Sequence, residues 1–342
     1  MQTRRAFLAS SFAASLAGNL PPAPVTRPNL AEIDRTRIMA TAARALAAAP
    51  ATPSDPSSAA FLALTLELPA LAAAAQIDPV RAPTYTVCAA QRLEAWFVTH
   101  ETRLPPAPPW TNFEALIDLA GLAEIVVALR FLPLDPAFMT ALKPWFTEHL
   151  TWLTEHRTAL LARDARSHHG SSWLLQTSAI ARFLANDTIL SDCRHRFKTV
   201  TIRAQIDAAG LFPHELATEN PFRNSLFNLD LLAGICVVLS TRFESVWDHE
   251  LQDGPGMRSA IARHAPYIAN RNKWPYPADP THFALLPCRR PALVFAGRAY
   301  GQPDYVTLWR TLNPDPTDPE LLRTFPIRQP ILWQTQPTPR PL

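Results

Sequence analysis

Lysine is scarce in this 342-residue sequence, and the motifs of several common enzyme classes are missing from it. Lys143, Lys198 and Lys273 are the only lysines, and a formal net charge of +3 without a basic run argues against nucleic acid as a partner. The chain has no Gly-rich phosphate loop, no G-x-S-x-G elbow and no His-Glu-x-x-His pair. These absences argue against P-loop nucleotide chemistry, the α/β-hydrolase triad and zinc-dependent proteolysis.

Cysteine and histidine give little sign of a metal site. The four cysteines are widely spaced and form no Cys-x-x-Cys pair: Cys88, Cys193, Cys236 and Cys288. Each lies in an apolar helical context, which favours single core cysteines, although an exported chain could form disulfides. His149 and His156 stand about 10 Å apart along a helix, too far to share one ion. We therefore predict neither a metal nor another cofactor.

The N-terminus has the order of an export signal. Arg4 and Arg5 precede a modestly apolar stretch over residues 7–17, and small residues follow that would suit cleavage. A twin-arginine signal, and hence a periplasmic or secreted protein, is the expectation; a Sec-type signal or an attached basic helix is the alternative. Residues 1–28 would be the signal and a proline-rich linker, and residues 29–342 one domain. No later run of about 18 apolar residues predicts a membrane span.

Apolar residues recur at helical spacing along most of the chain, whereas alternating strand patterns are almost absent. The best example covers residues 137–161, where Asp135 and Pro136 supply a cap and a first-turn proline. Most of the 35 prolines stand between such segments or in their first turns. We predict helices over residues 33–49, 61–75, 85–98, 113–132, 137–161, 172–184, 189–207, 224–239, 256–269, 283–298 and 305–312. Successive antiparallel helices form either a bundle or a ring of hairpins, and the local pattern does not choose between them.

Six short segments are similar to motifs of the alginate lyase family and keep their order over about residues 88–310. Residues 167–176, SHHGSSWLLQ, resemble NNHGTWYDVQ. Residues 210–217, GLFPHELA, resemble DGSFPLELA, which in the family follows a glutamine; Gln205 stands at that place here. Residues 225–230, SLFNLD, resemble YSLFNLDAL without its tyrosine. Weaker matches are residues 92–97, RLEAWF, the stretch 115–129, and the late element KWPY at 273–276.

This resemblance implies an all-α fold, an incomplete α/α toroid built as a ring of antiparallel helix hairpins with an open cleft. It also implies a lyase that acts by β-elimination on a uronate-containing polysaccharide, with an acidic polysaccharide or oligosaccharide as partner. In that reaction a base removes the proton on C5, the neighbouring carboxylate is neutralised, and an acid protonates the departing O4. We expect no cofactor and a monomer.

Residue by residue, the resemblance transfers only in part. His169 falls on the family histidine, and His168 replaces the adjacent asparagine. Thr218 falls where an arginine is expected, and Asn224 falls on the tyrosine that usually transfers the proton. Because an asparagine cannot act as an acid or base, His168 or His169 is the expected catalytic base. Arg223, just before Asn224, is the candidate for neutralising the substrate carboxylate.

Further candidates for the substrate cleft are aromatic or polar residues next to these motifs. Trp173 and Gln176 could line the cleft, with core packing as the alternative for the indole. Trp274 and Tyr276 lie between prolines and are expected on a loop at the cleft wall.

Two other functions are compatible with the same residues. Loss of the arginine and tyrosine would leave a carbohydrate-binding pseudoenzyme. Asp207 and Glu215 could instead form the carboxylate pair of a glycoside hydrolase on the same fold, or could be helix-end caps.

Overall fold

Helices and short connections account for nearly all of the computed structural model, which describes residues 29–51, 53, 58–107, 115–252 and 254–334. Within these ranges there is no β-strand, and Glu250 and Gly256 form a single isolated bridge. The export segment predicted over residues 1–28 lies outside the described residues. In chain order the helices are α1 (Leu30–Ala47), α2 (Ala59–Ile77), α3 (Ala82–Leu93), α4 (Ala115–Asp118), α5 (Leu122–Leu129), α6 (Pro136–Glu155), α7 (Arg157–Asp164), α8 (His168–Phe183), α9 (Asp187–Arg196), α10 (Ile202–Gln205), α11 (Pro213–Leu216), α12 (Pro221–Leu239), α13 (Met257–Ala269), α14 (Pro291–Ala299), α15 (Pro303–Thr311), α16 (Pro319–Arg323) and α17 (Pro330–Gln334).

Buried and half-exposed helices alternate along the chain, which gives the fold an inner and an outer layer. Helix α8 buries thirteen of its sixteen residues, whereas α9, which follows it, buries two of its ten. Helices α2, α5, α12 and α14 are similarly buried, and α1, α3, α6, α13 and α15 keep an exposed face. An outer helix therefore precedes or follows each inner one, as in a ring of hairpins, and the all-α toroid expected from the sequence is confirmed.

The inner helices run parallel, so their N-termini share one end of the ring. At that end Thr65 of α2 lies against Gly121, and the Ser172 hydroxyl of α8 donates to the Leu116 carbonyl at 2.8 Å. At the other end Gln76 donates to the Phe131 carbonyl at 3.0 Å, and Arg182 of α8 donates to a carbonyl of α12. The ring thus has two distinct faces, one formed by helix N-termini and one by C-termini.

The C-terminal segment, residues 325–334, lies inside the ring between α14 and α2. Both carboxylate oxygens of Glu124, on α5, accept from the Arg328 amide at 3.0 and 2.9 Å, and one also accepts from Gln329 and the Trp333 indole. Arg328 donates to the Thr65 hydroxyl at 2.9 Å. These bonds join elements more than 200 residues apart and hold the segment against α2 and α5.

Carboxylates from distant elements accept the first N–H groups of three inner helices. Glu215 accepts the His168 amide of α8, Asp279 accepts two amides at the start of α12, and Asp230 accepts the Ala292 amide of α14. Orphan N–H groups at a helix start require such partners, and a negative charge there also suits the helix dipole. Side chains at the N-terminal face are therefore positioned by tertiary contacts rather than by local capping residues.

Several helix boundaries differ from the sequence prediction. The predicted helix 137–161 is two helices, because the chain becomes extended at His156, whose ring accepts the Thr158 amide. The predicted helix 283–298 begins only at Pro291, after a short 3₁₀ turn and a cis bond before Pro287; neither proline has an N–H to continue a helix. Helix α8 begins at His168, four residues before the predicted start.

Among the residues that the structure describes, prolines occupy the positions that the sequence suggested, with three exceptions. They stand in the first turn of eight helices, including α8's neighbours α6 and α12. Pro69, Pro144 and Pro266 instead lie inside α2, α6 and α13, where each removes one helical hydrogen bond.

The four cysteines are buried and free, as the prediction of core cysteines requires. Two helices, Ala59–Ile77 and Pro221–Leu239, are long and apolar enough to cross a membrane by length and composition alone. Most of each apolar window, 61% and 83% respectively, is buried inside the ring, which is also what core helices show.

Replacing the buried His264 with phenylalanine is expected to reduce the loss of stability in acid. Burial lowers the pKa of His264 to about 4, so the folded state excludes a proton that the unfolded chain binds below pH 6.5. The contribution of this pKa shift to the free energy of unfolding is fully present above pH 6.5 and is lost as the pH falls to 4. The loss amounts to about 3 kcal/mol. Denaturant unfolding at pH 7 and pH 4 should therefore show an acid loss about 3 kcal/mol smaller in H264F than in the wild type.

Phe212 stacks on the His264 ring at 4.8 Å, so phenylalanine keeps the ring contact. The exposed His195 is the control, and H195Q should leave the acid loss unchanged. Equal acid losses in H264F and the wild type would contradict the assignment.

Candidate active site

His168 and Glu215 form a buried pair at the N-terminal face of the ring. The Glu215 carboxylate is fully buried; one oxygen accepts the His168 amide at 2.6 Å and the other lies 2.7 Å from Nδ1 of the same residue. With a carboxylate acceptor at Nδ1, the proton of a neutral ring sits on Nδ1, and Nε2 is the nitrogen left for a substrate. This is the arrangement by which a carboxylate orients a histidine base.

His169 lies directly beside this pair and is half-buried. Its ring centroid is 4.2 Å from that of His168, and its Nδ1 lies 3.1 Å from the Ser167 hydroxyl. Phe227 of α12 packs on the other side of His168, with centroids 5.4 Å apart. The two imidazoles therefore share one small volume at the start of α8, where backbone dipoles favour an anion.

Thr218 and Asn224 lie close to this pair through a short chain of hydrogen bonds. The Thr218 hydroxyl donates to the Glu215 carbonyl at 2.7 Å, and the Asn224 amide donates to that hydroxyl at 3.1 Å. Both side chains are half-buried. The sequence motif and the structure thus bring together four of the predicted site residues: His168, His169, Thr218 and Asn224.

Arg223, predicted to neutralise the substrate carboxylate, is paired with a carboxylate of the protein. Its guanidinium donates to Glu320 at 2.6 Å, and its backbone amide is held by Asp279 at 2.9 Å. An arginine already paired with a carboxylate is a weak candidate for neutralising a substrate carboxylate. The sequence gives no sign of this pairing, because Glu320 is 97 residues away along the chain.

Trp173 and Gln176 belong to the core rather than to a cleft wall, which corrects their predicted role. The Trp173 indole is buried and donates to the Leu153 carbonyl at 2.8 Å. Gln176 is fully buried, and its amide donates to the Leu116 carbonyl at 2.9 Å. An inner helix of a ring is covered on both faces, so polar residues two turns from its start bond to neighbouring backbone.

Trp274 and Tyr276 lie on a loop against the start of α12. Trp274 is mostly buried and packs against Phe222, with ring centroids 5.0 Å apart. Tyr276 is half-buried and meets the Trp274 ring edge-on at 5.0 Å. Tyr276 therefore keeps a partly exposed side chain on this loop, whereas Trp274 packs into the core.

The carboxylate pair considered for glycoside hydrolysis does not form a facing pair. Both oxygens of Glu215 are engaged by His168, and the side chain has no exposed surface on which to protonate a glycosidic oxygen. Asp207 accepts the amides of Ala209 and Leu211 in a turn. The structure instead gives Glu215 the role of orienting His168, which the motif comparison alone did not reveal.

One group of side chains in the described residues has the spacing of metal ligands. His282, Asp318 and Glu320 have ligand atoms within 4.8 Å of one another. Asp318 also caps α16, and Glu320 pairs with Arg223, so both carboxylates already have partners in the protein.

Comparisons with known proteins agree with the motifs found in the sequence. The sequence model of the alginate lyase family matches residues 59–274. Among solved structures, an alginate lyase from Bacteroides ovatus superposes with a TM-score of 0.73 at 18% identity, covering 86% of this chain and 94% of that one. No curated protein matches significantly. At that identity the structural likeness concerns the fold alone.

Proposed function

Since this chain belongs to the alginate lyase family, we propose that it is a polysaccharide lyase that eliminates across C4 and C5 of a uronate in an acidic glycan. The observation that carries the proposal is the Glu215–His168 pair with His169 stacked beside it. It supplies a titratable base where the expected tyrosine is an asparagine.

In the proposed reaction, Nε2 of His168 takes the proton from C5 of the uronate. The electron pair of the C5–H bond forms the C4–C5 double bond, and the C4–O4 bond breaks. The imidazolium of His168 then returns the proton to O4 on the same side of the sugar. Glu215 stabilises the transient positive charge, since its carboxylate lies 2.7 Å from the ring.

His169 is proposed to contact the substrate carboxylate, as the family histidine does by resemblance. Negative charge moves onto that carboxylate as the C5 proton leaves, so a donor placed there favours the transition state over the ground state. Asn224 keeps a second amide hydrogen beyond the one given to Thr218 and can bind the same glycan.

The test is incubation of the full chain with uronate polymers while the near-ultraviolet absorbance of the unsaturated product is followed. His169→Ala should lower the rate about 100-fold, because one preorganised donor to the developing charge is lost. His195→Ala, at an exposed histidine of α9, is the matched control and should leave the rate unchanged. A rate in H169A equal to that of the wild type would contradict the role given to this ring.

A carbohydrate-binding pseudoenzyme is the second candidate, favoured by the pairing of Arg223 with Glu320. Glycan binding without an unsaturated product, for every uronate polymer tried, would support it. We further propose that the protein acts outside the cytoplasm, because residues 1–28 have the composition of an export signal.

A further inference from the structure

A large depression opens on the face of the ring opposite His168. Its volume is about 550 Å³, and the C-terminal ends of α5, α8, α12 and α14 surround it. Since α8 has sixteen residues, its length puts about 24 Å between the depression and the histidines. The depression is therefore separate from the candidate active site.

Arginine dominates the charge of this depression. Arg130, Arg182, Arg242 and Arg298 all line it, and the described lining residues include no aspartate or glutamate. The nearest acidic residue of the same loop, Glu244, pairs with Lys198 at 2.6 Å. Four cations thus face one concave surface, and the part of its wall that the structure describes has no carboxylate.

The helix ends do not account for all four arginines. The C-terminal end of α17 also lines the depression, and each of the five helix ends carries about half a negative charge, so together they offset about two and a half of the four positive charges. Arg182 and Arg298 fill that role, because they donate to the carbonyls of Val238 and Gln334. The guanidinium groups of Arg130 and Arg242 have no hydrogen bond or ion pair with any described residue.

Two of the guanidinium groups have lowered pKa values. Partial burial alone lowers the pKa of Arg130. The pKa of Arg182 is also lowered, first by burial and then by the like charges of Arg130 and Arg194, against a smaller opposing effect of Asp187. An anion in the depression would relieve this repulsion.

An exposed aromatic ring stands at the rim beside one of these arginines. Phe243 is 84% exposed, and the Arg242 guanidinium lies 4.3 Å from its ring centroid. The Thr241 hydroxyl accepts the Phe243 and Glu244 amides at 3.2 and 3.0 Å and so fixes the turn that carries both side chains. An aromatic face beside a guanidinium is suited to a sugar ring that bears a carboxylate.

We propose that this depression is a second carbohydrate site, which binds a short acidic oligosaccharide with its carboxylates on Arg130 and Arg242 and one sugar ring on Phe243. The ligand class rests on the proposed function, whereas the basic depression itself does not. A glycan held here stays bound to the protein while another segment, or another chain, occupies the site at His169.

The site is tested by calorimetry with a hexameric oligouronate, in the full chain carrying His169→Ala so that the probe is cleaved about 100-fold more slowly. We expect Arg130→Gln with Arg242→Gln to weaken binding at one class of sites about tenfold, because two exposed charge contacts are lost. Phe243→Ala, at a side chain that supports no core, should weaken the same class several-fold. Arg35→Gln with Arg157→Gln removes the same charge elsewhere and should change binding less than twofold.

An unchanged titration in R130Q/R242Q would overturn the proposal. A neutral glucose hexamer that binds as tightly as the oligouronate would overturn the role of the arginines. Inorganic sulfate that binds as tightly as the oligouronate would overturn the proposal that the ligand is a sugar. Elimination is measured separately on chains with both histidines intact. If the wild type makes no unsaturated product while R130Q/R242Q still loses binding, the proposed function fails and the second site stands.

Discussion

Replacing Glu215 with glutamine is expected to lower the rate of uronate elimination about 1000-fold, with a change of only a few fold in KM. The carboxylate touches His168 through both oxygens and has no exposed surface, so it acts on the reaction only through that ring. Glu215 is thus a positioning residue, and its loss should appear in kcat.

The hydrogen-bond donors around Glu215 determine how glutamine would be oriented. A glutamine has one oxygen and one NH₂ group, whereas His168 presents two groups to it, the backbone N–H and Nδ1. The backbone group can only donate, so it takes the amide oxygen. The NH₂ then faces Nδ1 and forces it to accept, which moves the ring proton to Nε2. A ring with its proton on Nε2 cannot take the C5 proton of the substrate.

Glu219→Gln is the matched control for this prediction, because Glu219 is an exposed glutamate four residues further along the same connection. It should leave kcat unchanged. A kcat in E215Q within threefold of the wild type, with the variant folded, would show that His168 does not transfer the proton. A merely structural role for the pair would give a different result. E215Q and His168→Ala would then lose the same thermal stability, and kcat would fall only in proportion to the fraction of folded protein.

The fold and part of the site could be predicted from the sequence because both depend on local patterns. Apolar spacing and first-turn prolines give the helices, and residues 167–176 and 210–217 each keep the approximate order of a known motif. The same motifs predicted that His168, His169, Thr218 and Asn224 would lie together. What they could not give is which side chain each residue bonds to.

The partners that decide the chemistry are distant in the sequence. Glu215 is 47 residues from His168, and Glu320 is 97 residues from Arg223. The first pairing orients the His168 ring, and the second engages the Arg223 guanidinium. The tertiary packing of separate helices sets both contacts, so neither has a local sequence signal.

Gln176 shows a different limit of local reasoning. A polar residue on a helix is ordinarily expected to face water or a cleft, yet Gln176 is fully buried and bonds to the Leu116 carbonyl. In a ring, each inner helix is packed on both faces. Helical spacing identifies the buried face only when the other face is exposed, so it cannot separate a cleft residue from a core residue here.

The second large effect concerns stability: Arg290→Met is expected to lower the free energy of unfolding by about 4 kcal/mol at pH 7. Asp230 and Arg290 are both buried, 2.8 Å apart, and Asp230 also accepts the Ala292 amide at the start of α14. Removing the guanidinium leaves a buried carboxylate with no opposite charge. Urea unfolding at pH 7 measures the loss.

The pH dependence of that loss distinguishes an unpaired charge from a packing defect. Burial raises the pKa of Asp230 to about 6 even beside Arg290, and without the guanidinium it should rise further. A carboxyl whose pKa is raised on folding stabilises the folded state in acid and loses that contribution as the pH rises through its folded pKa. The deficit of R290M relative to the wild type should therefore shrink between pH 7 and pH 5.

Asp230→Asn in the R290M chain provides the control at constant pH. Asparagine has nearly the same shape and can still accept the Ala292 amide, but it carries no charge. If the missing counter-charge causes the loss, the double variant should regain most of the 4 kcal/mol at pH 7 and lose the pH dependence. A deficit that stays the same at pH 5 and in the double variant would mean that Arg290 stabilises α14 through its stem and its contact with Phe325, 3.8 Å from the guanidinium, rather than through its charge.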